Sequence, residues 1–176
     1  TTFEGPMAVV RLIRMLSLWS GRIGAVIVLP LVFAMVFEVI SRYAFAAPTI
    51  WAFELSYMMM GTIFLLGLSY ALLVGQHVNV DFIHQRLPRR AIAVIDAIGY
   101  AILTCMLFWM LTVLAQNVVD TYRTGEGSGL SAWNPKVWPY RTIYVVGFAL
   151  FALQSLAKTI ENFLIAIGRA PEDIRP

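Results

Sequence analysis

From Leu55 to Val80 the chain reads LSYMMMGTIFLLGLSYALLVGQHVNV, a run without a single Asp, Glu, Lys or Arg. Crossing a hydrocarbon core of about 30 Å takes roughly 20 mostly apolar residues wound as a helix. This run is therefore long enough to span a membrane by itself, and so is the uncharged run from Ala97 to Val119. Two shorter runs, Ile23 to Phe37 and Thr142 to Ala157, reach the same length once their ends are counted. Arg22, Arg42, Arg141 and Lys158 stand at those ends, and such side chains lay their aliphatic stems along the hydrocarbon while the charge reaches the headgroups. The expected fold is an all-α integral membrane protein with four transmembrane helices, at about 22–43, 52–74, 95–119 and 139–163, in one domain over 1–176.

The composition agrees. Of 176 residues, 60% are hydrophobic and 13% charged, and the mean hydropathy of +0.76 leaves no material for a separate water-soluble domain. The longest connection, from Asp120 to Arg141, is rich in Gly, Ser, Trp and Pro, which suits an ordered interfacial loop. A formal charge of +3 would suggest nucleic acid in a soluble protein; here the cations cluster beside the spans, so no nucleic-acid partner is expected. Arg11, Arg14, Arg22, Arg86, Arg89, Arg90, Lys158, Arg169 and Arg175 fall on one side of the predicted topology, and Arg42, Arg123, Lys136 and Arg141 on the other. Cytoplasmic loops carry the excess of Lys and Arg, so both termini and the middle connection are expected in the cytoplasm. The first apolar stretch is too long for a signal-peptide core and is expected to remain as a span. Cys105, the single cysteine, reads as a small buried packing residue with no disulfide or metal role.

Along the chain, residues 6–20 have a basic, amphipathic helical pattern carrying Arg11, Arg14 and Trp19. Two readings fit it: an interfacial helix lying flat, or an extension of the first span. Pro30 removes a backbone donor in mid-span and predicts a bend. Glu38 and Arg42 are one turn apart and either pair with each other or reach a partner helix. Ala47-Pro48-Thr49 breaks the helix, and Trp51 marks the next interface. Trp51, Glu54, Met58, Gly61 and Leu65 then recur at helical spacing, a stripe that reads as a binding face because Gly61 permits close approach and Glu54 would be costly against lipid. His77 beside Asp81 suits capping and interfacial hydrogen bonding better than a metal site, since His84 is the only other histidine. Trp133, Trp138, Tyr140 and Arg141 form an aromatic and basic belt, and Pro139 fits the first turn of the last helix.

Taken in order, Arg42-Tyr43-Ala44-Phe45, Trp51-Ala52-Phe53-Glu54-Leu55, Gly75-Gln76-His77-Val78-Asn79-Val80-Asp81 and Trp133 through Tyr140 resemble the small membrane subunit of tripartite ATP-independent periplasmic (TRAP) transporters, the DctQ-like component. The similarity extends over nearly the whole chain. One departure is Ala52-Phe53 ahead of a single Glu54, where that family often has paired acids. The resemblance implies a large membrane transport subunit as partner, a periplasmic substrate-binding protein that delivers an organic acid, and membrane lipids around both, in a bacterial or archaeal cytoplasmic membrane. It implies no enzyme activity and no cofactor in this chain, with sodium ions in the partner subunit. Subunit-interface candidates are Glu38, Arg42, Trp51, Glu54, Met58, Gly61, His77 and Asp81, and membrane or docking anchors are Trp19, Trp133, Trp138, Tyr140 and Arg141.

Three rivals share parts of this pattern. A small multidrug-type, proton-coupled exporter also has four helices and would use Glu38 as its proton site; Arg42 one turn away and a place close to the span's end argue against it. A haem-carrying electron-transfer subunit needs histidines on facing helices, whereas His77 and His84 share one connection. A structural scaffold of another membrane complex predicts the same stripes and topology.

Overall fold

A computed structural model describes residues 4–75 and 88–168 of the protein. Four helices run through them: α1 (Glu4–Ala44), α2 (Ala52–Leu73), α3 (Arg89–Thr124) and α4 (Trp138–Ala166). All four are long and apolar enough to cross a membrane, and the chain is a multi-pass membrane protein. At 1.5 Å per residue, α2 with 22 residues is about 33 Å long and just matches a bilayer core. The 41 residues of α1 and 36 of α3 give about 60 and 54 Å at the same rise, so both project beyond it.

Each helix end has a local cause. Pro30 stands inside α1, which continues through it. Ala46 takes a left-handed φ of 51°, and the Ala47 amide donates to the Ser41 carbonyl at 3.0 Å, which turns the chain out of α1 with alanine in the left-handed place glycine usually holds. Gly125, at φ 66°, ends α3 by donating its amide to the Thr121 carbonyl. Pro139 lies in the first turn of α4, where its missing donor costs nothing.

The most extensive contact joins α3 to α4, followed by α1 with α2, α2 with α4 and then α1 with α4. α4 is thus the centre and its span the most buried, while α1 stands at an edge with the least buried span. Leu72, Leu107, Phe151 and Ala152 form the main core, from α2, α3 and α4. Helices in lipid approach through small residues rather than by burying large apolar ones, and α2 meets α4 in that way. A Cβ on Gly147 would come within 2.7 Å of Leu65 Cβ, and one on Gly61 would run into the Tyr140 hydroxyl.

Residues 6–20 belong to α1 without a break, so the extension reading of that segment is the one the fold adopts. Val10, Ile13, Ser17 and Ser20 turn inward, and Val10 and Ile13 pack on Ala157 of α4. Leu12, Met15, Leu16 and Trp19 face outward. Cys105 is exposed on the outer side of α3, which corrects its reading as a buried packing residue: Thr104, its neighbour, takes the inward position and bonds across to α4.

Candidate functional site

Polar side chains gather in three places, and each has a different use. The first is inside the bundle. Ser17 of α1 donates to Gln154 Oε1 of α4 at 2.9 Å. Ser20 Oγ lies 2.9 Å from Ser69 Oγ of α2 and 3.1 Å from the Leu66 carbonyl. The hydroxyls of Thr104 and Ser155 are 2.9 Å apart and converge on the Tyr100 carbonyl. Toward the α1 N-terminus, Glu161 receives Arg14 at 3.5 Å and Lys158 at 3.3 Å. Sequence reading missed all of these partners. The spacing of Ser17 and Ser20 was a visible signal, but a serine on a helix does not say which neighbour accepts its proton.

The second place is the turn between α1 and α2. Glu38 Oε1 accepts from Arg42 Nε at 3.0 Å and Nη2 at 2.5 Å. Its Oε2 accepts from the Thr49 amide at 2.9 Å and from the Thr49 hydroxyl. One carboxylate therefore closes the 45–51 connection and holds Arg42 at the same time. Arg42 remains half-exposed, and the donors from Arg42 and Thr49 on both oxygens of Glu38 argue against the proton-site reading of the exporter alternative. Trp51 stacks on Phe37 with ring centroids 6.0 Å apart, which fixes the start of α2 against α1.

The third place is the same end of the bundle, between the N-terminal turns of α2 and α4 and the 125–137 connection. That connection is ordered. Gly127 and Lys136 form an antiparallel bridge, the Ser128 amide donates to the Pro135 carbonyl at 2.9 Å, and Asn134 Oδ1 accepts from the Gly129 amide at 2.8 Å. Arg141 clamps it to the helices. Its Nη1 donates to Asn117 Oδ1 at 2.6 Å and to the Thr121 hydroxyl, and its Nη2 is 3.2 Å from Glu126 Oε1. Trp138 meets Tyr122 edge-on at 5.4 Å, while Trp133 stays exposed. At the other end Trp19 is exposed with the Arg22 guanidinium 5.5 Å from its ring.

A cavity of about 240 Å³ opens here, lined by Glu54, Met58 and Arg141, by three tyrosines, Tyr57, Tyr140 and Tyr144, and by the connection. Tyr144 donates to the Tyr140 hydroxyl at 2.9 Å, and the Tyr57 and Tyr140 rings are 5.9 Å apart. Glu54 is 0% exposed, and neither of its carboxylate oxygens has a hydrogen-bond partner among the described residues.

Along the stripe of Trp51, Glu54, Met58, Gly61 and Leu65, Trp51 meets Phe37 of α1, Gly61 lies under Tyr140 and Leu65 lies against Gly147 of α4, because Gly61 and Gly147 let α2 and α4 approach, while Glu54 and Met58 line the cavity. Tyr140 and Arg141, expected as outward anchors, are likewise turned into the chain, Tyr140 onto α2 and Arg141 into the loop clamp. His77 and Asp81 lie outside the described residues.

Residues 31–164 match the family model described as "Tripartite ATP-independent periplasmic transporters, DctQ component". The match takes in α2 and α3 whole, the last third of α1 and nearly all of α4. Comparison with curated proteins and with solved structures returns no match.

Proposed function

The chain belongs to the DctQ component family of tripartite ATP-independent periplasmic transporters, and from that premise we propose that it is the small accessory membrane subunit that braces a large transport subunit. In this reading the large subunit moves an organic acid together with sodium ions, and a periplasmic binding protein delivers the acid. The 125–137 connection faces that binding protein and helps to seat it. Both termini are cytoplasmic, in the cytoplasmic membrane of a bacterium or archaeon, and this chain holds no cofactor and catalyses no reaction.

The observation that carries the proposal is the state of the helices. Each of the four described spans is uninterrupted, whereas secondary transporters coordinate substrate and ions at broken helices near the midplane. The hydroxyls inside the bundle tie helix to helix instead, which suits a rigid support. A face for the large subunit is at hand on α1, whose outward side is continuous and apolar: Leu29 and Phe33 are each 72% exposed and Val26, Val32 and Val36 follow the same side.

The test is uptake of labelled substrate in cells carrying the large subunit and binding protein, with and without this chain. Loss of uptake on deletion, restored by supplying the chain, is the expected result. Full uptake without it would remove the bracing role.

A further inference from the structure

Glu54 poses a physical problem that the described residues do not solve. A carboxylate taken out of water costs several kcal/mol unless charge and hydrogen bonds compensate it, and Glu54 is fully buried with both oxygens unpartnered among the described residues. The other charge in the cavity wall, Arg141, is already matched by Glu126 at 3.2 Å and by Asn117 and Thr121. Among the described residues the lining thus holds a buried carboxyl group without a donor beside a guanidinium whose donors are already taken.

We propose that this cavity is a socket for a single basic side chain, lysine or arginine, of the large membrane subunit, with Glu54 as its counter-charge. The inference rests on the accessory-subunit reading above and names the contact through which that subunit is held.

Three features select this occupant. The lining is aromatic and soft, with Tyr57, Tyr140, Tyr144 and Met58, and tyrosine faces attract ammonium and guanidinium groups while the walls take the apolar stem. A hard metal ion would instead seek several oxygen ligands. The size agrees as well: about 240 Å³ is below the roughly 300–1,000 Å³ of sites that hold drug-sized ligands and suits one inserted side chain. Finally, Tyr57 and Leu130, both more than half exposed, place the mouth on the outer surface, within reach of a neighbouring chain. A zwitterionic lipid headgroup would bring a phosphate as well as an ammonium, and the one cation in the lining is already engaged by Glu126.

The test uses the full chain with its large subunit, purified together through a tag on this chain. A photo-crosslinking side chain replaces Tyr57, and the crosslinked peptides are sequenced by mass spectrometry. The expected product is a large-subunit peptide containing lysine or arginine. Glu54→Gln, which keeps shape and removes charge, should lower recovery of the large subunit by about tenfold or more, with Glu54→Asp keeping part of it. Thermal unfolding of the isolated chain should not suffer from Glu54→Gln. Crosslinks to lipid alone while the large subunit is still recovered, unchanged recovery with Glu54→Gln, or a loss of stability in the isolated chain would each overturn the socket. Failure of the wild-type chain to retrieve any large subunit is a different result, since it removes the accessory-subunit reading itself and the socket with it.

Discussion

Glu38 and Glu54 stand at the same end of two adjacent helices, one in the last turns of α1 and one in the first turn of α2, yet their surroundings are opposite. Glu38 receives donors from Arg42 and Thr49 on both oxygens. Glu54 receives none among the described residues and is fully buried. The difference shows that an intramembrane acid is not read by depth or by helical face alone. Glu38 has a turn beside it that folds back and supplies donors from Thr49; Glu54 sits in the first turn of α2 beside the glycine-enabled contact with α4, where no described group reaches its oxygens.

The comparison can be tested from its strongest arm to its weakest. In the isolated chain, Glu54→Leu should raise stability by about 1–4 kcal/mol, the range seen when buried ionisable groups are replaced by apolar side chains of similar volume; denaturant unfolding followed by circular dichroism in detergent measures it, and a loss would mean that Glu54 is satisfied within the chain. Gly147→Ala should lower stability by about 1–3 kcal/mol, the cost of overpacking, because its Cβ meets Leu65 at 2.7 Å; an unchanged unfolding midpoint would show that α2 and α4 approach less closely. Replacing the clamp by Arg141→Met should cost about 1–2 kcal/mol in charged hydrogen bonds and free the 125–137 connection, read as quicker proteolysis there with the helices intact. Glu38→Gln should speed amide exchange at Thr49 severalfold while leaving the cavity end of α2 unchanged, and equal effects at both ends would erase the contrast between the two acids. Ser17→Ala, which removes one hydrogen bond to Gln154, should cost only about 0.6 kcal/mol, visible as a small shift in the same unfolding curves.

Much of the fold was legible. The predicted spans at 22–43, 52–74, 95–119 and 139–163 fall within or against α1 to α4, and Pro139 and the Trp133–Tyr140 segment marked the start of α4. The site was less so. The Glu38 and Arg42 pair was visible from its one-turn spacing, but Thr49 as the third member was not, because a turn's return path is not encoded in helical periodicity. The stripe on α2 is visible from its helical spacing, but the intrachain neighbours of Gly61 and Leu65 are not. In water an apolar stripe faces the core and polar residues face out; in lipid both sides are apolar, and Trp51, Glu54, Met58 and Gly61 look the same whether they meet their own α4 or another subunit.

What the sequence determined by itself is therefore the number, length and order of the spans, since hydrocarbon thickness and the cost of unpaired backbone groups leave an uncharged run of this length little choice but a helix. The tertiary structure alone decided which face of each helix turns inward. That choice depends on where small residues let two backbones meet and on which distant hydroxyl or carboxylate finds a donor: Ser17 with Gln154, Gly147 with Leu65, Arg141 with Glu126, and Glu54 with none among the described residues.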